Sequence, residues 1–197
     1  MSQNLVDLHC HILPGIDDGA KNLDVSMALL SKEIRDGVAG IVFTPHFHYE
    51  RISVEDFAAK RKAAFLKVAK AARENGLPLA AKMGAEVYFT TALPSLDLSV
   101  LAFAKSNYIL IEFPTTCHPA GIDETLYGVR QRGYCNAVAL VTGQNKESCA
   151  FHKALGFKKI GVEPRTGYKF GQWLDLAYWW MDLRPGQEPP EPVRLGR

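Results

Sequence analysis

Ligand-type side chains cluster near the start of the chain, in the stretch DLHCHILPGIDDG. Asp7, His9 and His11 occupy alternate positions, and alternate side chains of a β-strand point to the same face. We therefore expect these three side chains to converge, while the intervening residues, such as Leu8, face the other way. Imidazole and carboxylate groups together are favoured by divalent metals of intermediate hardness. The spacing predicts a metal site, and the alternative is a half-buried strand whose histidines are only hydrogen-bonded.

Further ligand types follow two later strands. The nearly all-apolar stretch GIVFTPHFH is predicted to be a buried strand that ends in His46 and His48, and Glu86 ends a third predicted strand, LPLAAKMGAEVYF. In parallel α/β folds, functional groups gather at the carboxyl ends of the strands. Taken alone, His46 is consistent with an ordinary loop residue and Glu86 with a surface charge. Together with the first motif, they favour a metal centre.

A repeating pattern of strands and helices must position these residues. Apolar residues at helical spacing predict a helix over DVSMALLSKEIRDG, which stops at Gly37. Ser53, followed by Asp56, resembles the N-cap of a second helix that ends at Asn75. NYILIEF is predicted to be another strand, and PSLDLSVLAFA is a weaker helix or a loop. The pattern predicts an α/β chain with a largely parallel sheet.

The composition limits the classes of function. The 197 residues, 47% of them hydrophobic, can bury one sizeable core or two small ones. A net charge of +2 without a run of lysine or arginine predicts no binding to nucleic acid. The sequence has neither a signal-like segment nor 18 consecutive apolar residues, so we expect a cytoplasmic protein without membrane insertion. The four scattered cysteines form no C-x-x-C pair and are expected to be reduced thiols.

The stretches DLHCHILPGIDDG, TPHFHYE, GAEVYF and YILIEFP together resemble successive motifs of the PHP (polymerase and histidinol phosphatase) family. They are most similar to its bacterial capsule-type protein tyrosine phosphatases, over about residues 4–134. The resemblance implies the first part, about four strands, of a distorted β/α barrel. It also implies a divalent metal cluster, of manganese or a similar ion, whose ligands in this chain are His9, His11, Asp17, His46 and Glu86.

The same resemblance implies roles for these residues in the hydrolysis of a phosphorylated protein or a small phosphoester. Glu86 is a bridging carboxylate, and catalysis is assigned to Asp17 and His46, with Asp17 as a ligand or a proton-transfer group. Asp7 is expected to orient the site, and the role of His48 stays open. No cysteine is followed by arginine six positions later, so the thiolate loop of cysteine-dependent phosphatases is absent.

From residue 135 the sequence resembles a different family. Residues 135–183 are similar to the C-terminal part of a GNAT acetyltransferase of the phosphinothricin acetyltransferase group, which implies a parallel strand, a helix capped by Asn145 and a pair of long strands. It also implies that Asn145 and His152 lie beside the thiol of acetyl-CoA. The alternative is an ordinary capped helix with one exposed histidine. No glycine-rich turn that could hold the cofactor's phosphates precedes NAVALVTG, so we expect weak acetyl-CoA binding.

The sequence therefore predicts a phosphatase-like segment (1–134), an acetyltransferase-like segment with a strand, a helix and a hairpin (135–183), and a disordered tail (184–197). Metal-dependent phosphoester hydrolysis of the protein tyrosine phosphatase type is the favoured function. An acetyl-CoA-dependent N-acetyltransferase and an inactive fusion that retains metal binding are the alternatives. The His-Pro-Glu-Arg and Asp-x-His motifs of complete PHP chains do not occur, which predicts reduced activity. Whether a homo-oligomer completes the site stays open.

Overall fold

A computed structural model of the chain describes residues 5–103, 106–113, 120–169, 171–186, 189 and 192–194. The chain divides into two compact units, Met1–Phe113 and Pro114–Arg194. The first unit contains all the residues that the sequence assigns to a metal centre. The second contains the residues assigned to acetyl-CoA. Each unit has its own secondary structure and its own core.

The first unit is built from parallel strands and two long helices. Its strands are β1 (Leu5–Cys10), β2 (Val38–Phe43), β3 (His46–Phe47), β4 (Ala81–Met83), β5 (Glu86–Tyr88) and β6 (Leu110–Glu112). They form two three-stranded sheets, in the orders β1-β2-β4 and β3-β5-β6, and every pairing is parallel. Its helices are α1 (Leu23–Arg35), α2 (Val54–Glu74) and the short α3 (Leu98–Leu101). The parallel α/β architecture predicted for this part of the chain is confirmed.

Two strands that the sequence analysis treats as continuous are each interrupted. The stretch GIVFTPHFH breaks after Phe43, and LPLAAKMGAEVYF breaks after Met83. Pro45 has no N–H to continue a ladder. At Gly84 a Cβ atom would lie 2.6 Å from the Phe103 ring, so this point of the backbone packs too tightly for a side chain. His46 and Glu86 consequently begin second, shorter strands rather than ending the first ones, and they lie opposite each other in the register of β3 and β5.

The start signal predicted for the second helix is confirmed, and the first helix begins at a cap that the sequence analysis did not name. Asn22 caps α1, and the Ser53 hydroxyl accepts a hydrogen bond of 3.0 Å from the Asp56 N–H at the start of α2. The predicted apolar faces point inward, with Leu30 and Val68 fully buried. They pack with Phe43 in one hydrophobic cluster. Strand β1, by contrast, lies at a sheet edge and is largely exposed, and Leu8, on the face opposite the ligands, is 55% exposed.

A buried arginine that the sequence analysis did not single out connects α2 to the interrupted strand. The Arg61 guanidinium donates hydrogen bonds to the carbonyl oxygens of Gly84 and Val100, the latter at 2.8 Å. It also lies 5.1 Å from the centre of the Phe57 ring. Burial lowers the pKa of Arg61 to about 10, which leaves the side chain charged at neutral pH. Arg61 therefore fixes the bend that precedes Glu86.

The second unit has one helix followed by a strand, a helix and two long paired strands. Its elements are α4 (Ile122–Gln131), β7 (Asn136–Thr142), α5 (Lys146–Ala154), β8 (Lys158–Lys169) and β9 (Gln172–Asp182). The sheet order is β7-β9-β8, and both pairings are antiparallel. The expectation that NAVALVTG forms a parallel strand is therefore wrong, because its pairing partner β9 runs back along it. Val141, Phe157, Ala177 and Trp179 form the core.

Part of the tail that is predicted to be disordered lies outside the described part of the chain. Within residues 184–197, the Arg194 N–H donates a 2.7 Å hydrogen bond to the Arg132 carbonyl oxygen. Residues 187–188, 190–191 and 195–197 are not described, so disorder of the tail stays a prediction. Cys117 also lies outside the described residues. Among those that are described, no helix is both long and apolar enough to cross a bilayer.

We predict that Arg61→Met destabilises the first unit by about 2–4 kcal/mol, because two buried carbonyl oxygens lose their charged donor. The measurement is the midpoint and slope of urea unfolding. The control is Arg73→Met, which removes an exposed arginine from the last turn of the same helix. It should leave the free energy of unfolding within about 0.5 kcal/mol of that of the parent. Equal loss in both variants would contradict the role assigned to Arg61.

Candidate metal centre

Histidine and carboxylate side chains of the first unit meet where β1 ends and the strands of the second sheet, β3-β5-β6, begin or end. His9 comes from β1, His46 begins β3, Glu86 begins β5, and Glu112 ends β6. His11 follows β1 directly. Parallel pairing places His46 opposite Glu86 and Glu112 opposite Tyr88, two residues further along β5. The groups able to hold an ion among the described residues are His9 with His11 and Glu86, His11 with Asp18 and His46, and His46 with Glu86 and Glu112.

One carboxylate oxygen is the centre of the arrangement. Glu86 Oε2 lies 2.9 Å from His9 Nε2, 3.1 Å from His11 Nε2 and 3.3 Å from His46 Nδ1. The Nε2 atoms of His9 and His11 are 3.2 Å apart. The predicted convergence of His9, His11, His46 and Glu86 is what the structure shows. Asp7 does not take part in it, since its Oδ1 accepts a hydrogen bond from the His9 backbone N–H at 2.9 Å.

The loop between β1 and α1 is shaped by contacts with His11. The His11 carbonyl oxygen accepts a hydrogen bond from the Ala20 N–H at 3.0 Å. Gly19 passes so close that a Cβ atom there would lie 2.1 Å from the same oxygen, so only glycine fits. This close return explains why the DDG sequence follows the histidine motif. It brings Asp17 and Asp18 to the cluster.

The two aspartates of this loop occupy different places. Asp17 Oδ2 lies 2.9 Å from His11 Nδ1 and accepts a 3.0 Å hydrogen bond from the His46 backbone N–H, while Oδ1 accepts one from the Gly19 N–H. Asp17 therefore contacts both motifs, with both of its oxygens engaged. Asp18 Oδ1 lies 3.6 Å from His46 Nε2 and is the aspartate that joins a ligand group.

The electrostatics of the cluster keep the carboxylates of Glu86 and Asp17 ionised. Burial alone would raise the pKa of Glu86, but the imidazoles of His11 and His9 outweigh it and lower that pKa to about 2. The carboxylates of Asp17 and then of Glu86 raise the pKa of His11 to about 10. The pKa of Asp17 is lowered, because hydrogen bonds from His11 and two backbone N–H groups outweigh its burial. The site thus concentrates negative charge that positive partners stabilise.

Buried polar atoms at the centre fit a cation. Glu86 Oε2 and His46 Nδ1 are buried and have no partner in hydrogen-bonding geometry, although other ligand atoms lie close by. An atom left in this state normally costs free energy, which a coordinated ion would recover. The donor set of imidazole nitrogens and carboxylate oxygens suits a divalent ion of intermediate hardness. The residues present therefore fit a metal.

Two members of the cluster were missed by the sequence analysis. Glu112 Oε2 lies 3.3 Å from His46 Nδ1, and Asp18 approaches His46 from the loop. Glu112 carries a usable signal, because it ends the strand in YILIEF just as the other acids lie near strand ends. The parallel pairing of β6 with β5 places Glu112 next to Tyr88, two residues beyond Glu86.

The residues predicted to face acetyl-CoA have structural contacts of their own. The Asn145 side chain caps α5 by accepting a 3.0 Å hydrogen bond from the Ser148 N–H, as expected. His152 is only 7% exposed, and its Nδ1 lies 2.8 Å from the Ser148 carbonyl oxygen. The alternative of an exposed histidine is thus wrong. The His152 ring packs edge-on against Phe157 in the interior of the second unit.

The described cysteines agree with a mechanism that needs no thiolate. Cys10, Cys135 and Cys149 are free thiols. Burial, reinforced by the negative charge of Asp7, raises the pKa of Cys10 to about 12. At neutral pH this thiol is protonated and unreactive.

The parallel strands and the cluster at their ends define an α/β protein with a candidate metal centre. Within that class, the chain belongs to the capsular polysaccharide synthesis CpsB/CapC family, whose family model matches residues 5–163. The match includes every residue of the cluster described above. It also extends past residue 134, where the sequence begins to resemble acetyltransferases.

Proteins of known activity are similar to each part of the chain. The tyrosine-protein phosphatase YwqE of Bacillus subtilis is 31% identical over 137 residues, which cover 68% of this chain and 53% of that protein. The solved structure described as YwqE from Bacillus subtilis and CpsB from Streptococcus pneumoniae, unique metal-dependent tyrosine phosphatases, matches with a TM-score of 0.59 and 30% identity, over 66% of this chain and 53% of the other. The chain spans about half the length of these phosphatase relatives.

The second resemblance is also found, over a smaller part of the chain. The phosphinothricin N-acetyltransferase of Streptomyces viridochromogenes is 34% identical over 79 residues, 38% of this chain and 43% of that protein. The sequence-based recognition of both a CpsB-type phosphatase segment and a GNAT-type segment is confirmed. Neither comparison assigns a role to individual residues of this chain.

We predict that Glu86→Gln, and separately His9→Ala combined with His11→Ala, removes bound divalent metal. The first change removes the negative charge of the central carboxylate, and the second removes two imidazole ligands. Metal content is measured by elemental analysis after dialysis against manganese. Glu74→Gln is the matched control, since it neutralises an exposed glutamate whose nearest partner is Lys70. If the Glu86 and histidine variants contain as much metal as the parent, the assignment of these residues as metal ligands is contradicted.

Proposed function

We propose that this chain hydrolyses phosphoester bonds with a bound divalent metal, and that phosphotyrosine in a protein or a small aryl phosphate is its substrate. The observation that carries the proposal is the convergence of three imidazoles on Glu86 Oε2 within 3.3 Å. The similarity to metal-dependent tyrosine phosphatases supports the type of reaction. Because the chain covers about half of those proteins, the activity is a proposal for this chain.

The ligand groups share members, which favours neighbouring ions over separate sites. Glu86 belongs to the group with His9 and His11 and to the group with His46 and Glu112. We therefore assign Glu86 the role of a bridging carboxylate, as the family resemblance implies. Nitrogen and oxygen ligands of this kind suit manganese, although the donor set alone also suits other divalent ions. Manganese is thus part of the proposal.

The chain's own residues prepare the site in distinct ways. A bound divalent ion would neutralise the phosphoryl oxygens and activate a water for attack on phosphorus. Asp17 accepts a hydrogen bond from His11 Nδ1, which orients the ring so that His11 Nε2 can bind a metal. Asp17 also holds the backbone of His46, so we assign it to positioning and to proton transfer, and we assign His46 to metal binding.

The same proposal includes a fold assignment. The sheets β1-β2-β4 and β3-β5-β6 follow one another along the chain, since each break at Thr44–Pro45 and at Gly84–Ala85 leads from the first sheet into the second. The Gly84 N–H still donates to the Phe43 carbonyl oxygen, and the Glu86 N–H donates to that of Pro45. We propose that this arrangement is the first part of the distorted barrel of PHP-type phosphatases, a reading that the similarity to YwqE and CpsB supports.

We predict measurable hydrolysis of a phosphotyrosine analogue that requires added manganese and is lost in His11→Ala. The rate should be at least about 10–100-fold below that of a complete relative, because the later ligand motifs are missing and supporting contacts carry factors of this size. Steady-state assays of parent, His11→Ala and the Glu74→Gln control test this. Full family-level turnover that depends on His11 would show that the ligands present here suffice, and so would contradict the expected loss of rate.

An N-acetyltransferase is the second candidate, favoured by the sequence match to phosphinothricin N-acetyltransferase. Under this candidate Asn145 and His152 would contact the cofactor. Asn145 caps a helix and His152 is buried, so both residues have a structural role that requires no ligand. An inactive fusion that binds metal is the third candidate.

We predict that acetyl-CoA binds weakly or not at all, because the turn that would hold its phosphates does not precede β7. Calorimetric titration of the full chain with acetyl-CoA is the measurement. Desulfo-CoA serves as the control ligand for contacts that do not involve the thiol. A dissociation constant of about 1–100 μM, the range of ordinary substrate affinities, would restore the acetyltransferase candidate.

A further inference from the structure

Two aromatic rings, tilted against each other, lie two residues beyond the metal-binding cluster along the strands. The ring centres of His48 and Tyr88 are 4.7 Å apart, with an angle of 30° between the planes. His48 is two residues past His46, and Tyr88 is two residues past Glu86. Alternate residues of a strand share a face, so the two rings lie on the face of the cluster, about 6–7 Å further along the strands.

The two rings differ in burial from their immediate neighbours. Phe47 and Val87, which alternate with the ligands, are fully buried in the core. His48 and Tyr88 are only partly buried. They therefore remain partly accessible beside the cluster.

The backbone fixes the position of the His48 ring. The His48 carbonyl oxygen accepts hydrogen bonds from the N–H groups of Arg51, at 3.0 Å, and Ile52, at 3.2 Å. Tyr88 is the last residue of β5 and lies opposite Glu112 in the register with β6. The pair is thus held next to the ligands by the strands and by the turn that follows β3.

We propose that His48 and Tyr88 form an aromatic platform that receives the phenyl ring of an aryl phosphate whose phosphoryl group is bound at the cluster. The inference rests on the proposed function and names the specificity determinant of that site. In an aryl phosphate a single oxygen joins the phosphorus to the ring, so the ring lies within a few ångströms of the bound phosphoryl group and within reach of the neighbouring pair of rings. An alkyl phosphate such as phosphoserine carries no ring and gains nothing from the platform.

The decisive test measures binding as well as turnover. Dissociation constants of phenylphosphonate and methylphosphonate are determined by calorimetry for the manganese-loaded full chain, and kcat/KM is compared for phosphotyrosine and phosphoserine. We expect the ratio of phenylphosphonate affinity to methylphosphonate affinity to be roughly three- to ten-fold larger in the parent than in Tyr88→Leu or His48→Ala. This is the factor expected for one aromatic contact. Affinity for methylphosphonate and metal content should not change.

Two control variants separate ring stacking from general disturbance. Tyr88→Phe keeps the ring and should keep the phenyl preference. Tyr108→Leu removes a tyrosine that is 73% exposed and precedes β6 at the opposite end of the strand, and it should change nothing. Loss of the preference in Tyr88→Leu with retention in both controls supports the platform.

The remaining outcomes distinguish this inference from the proposed function. Hydrolysis with an unchanged phenyl preference in Tyr88→Leu and His48→Ala would overturn the platform and leave the proposed function standing. Phenyl-selective binding that depends on Tyr88, without hydrolysis, would overturn the proposed function and support the platform. If neither phosphonate binds the parent, or if the variants lose metal together with both ligands, the platform is refuted.

Discussion

The structure of the first unit depends on the interactions that compensate the buried negative charge of the Glu86 carboxylate. Glu86 is 7% exposed, and an isolated ionised side chain in such a place would be strongly unfavourable. Its Oε2 atom instead faces three imidazole nitrogens supplied by separate points of the chain. The surroundings of this one oxygen therefore decide where β1, β3 and β5 must end or begin. They also explain why the pKa of Glu86 falls to about 2 despite burial.

The backbone meets this requirement by interrupting its strands at matching points. Pro45 ends the ladder of β2, and the tight packing at Gly84 ends that of β4, so that His46 and Glu86 begin new strands at the same level. Arg61 then holds the Gly84 carbonyl oxygen from the side of α2. Asp17 joins the first motif to the second by contacting His11 and the His46 N–H. Each of these contacts limits the movement of a ligand, which is what precise metal coordination requires.

The sequence revealed those features that depend on local pattern. Ser53 was recognised as a helix start because capping needs only the residue itself and the next few N–H groups. His9 and His11 were recognisable because strand periodicity alone puts them on one face. Glu112 and Arg61 were missed, since a charge becomes a ligand or an internal donor only when the fold closes around it. The antiparallel direction of β7 likewise depends on its distant partner β9, and local pattern does not specify it.

The most direct test of this account is crystallographic location of manganese by anomalous diffraction in crystals grown with the ion. The account predicts a peak about 2.0–2.3 Å from Glu86 Oε2 and from Nε2 of both His9 and His11, distances typical of such ligands. The peak should disappear in Glu86→Gln. Ordered manganese elsewhere, or a fully occupied site that persists without the Glu86 carboxylate, would contradict the central role given to that oxygen.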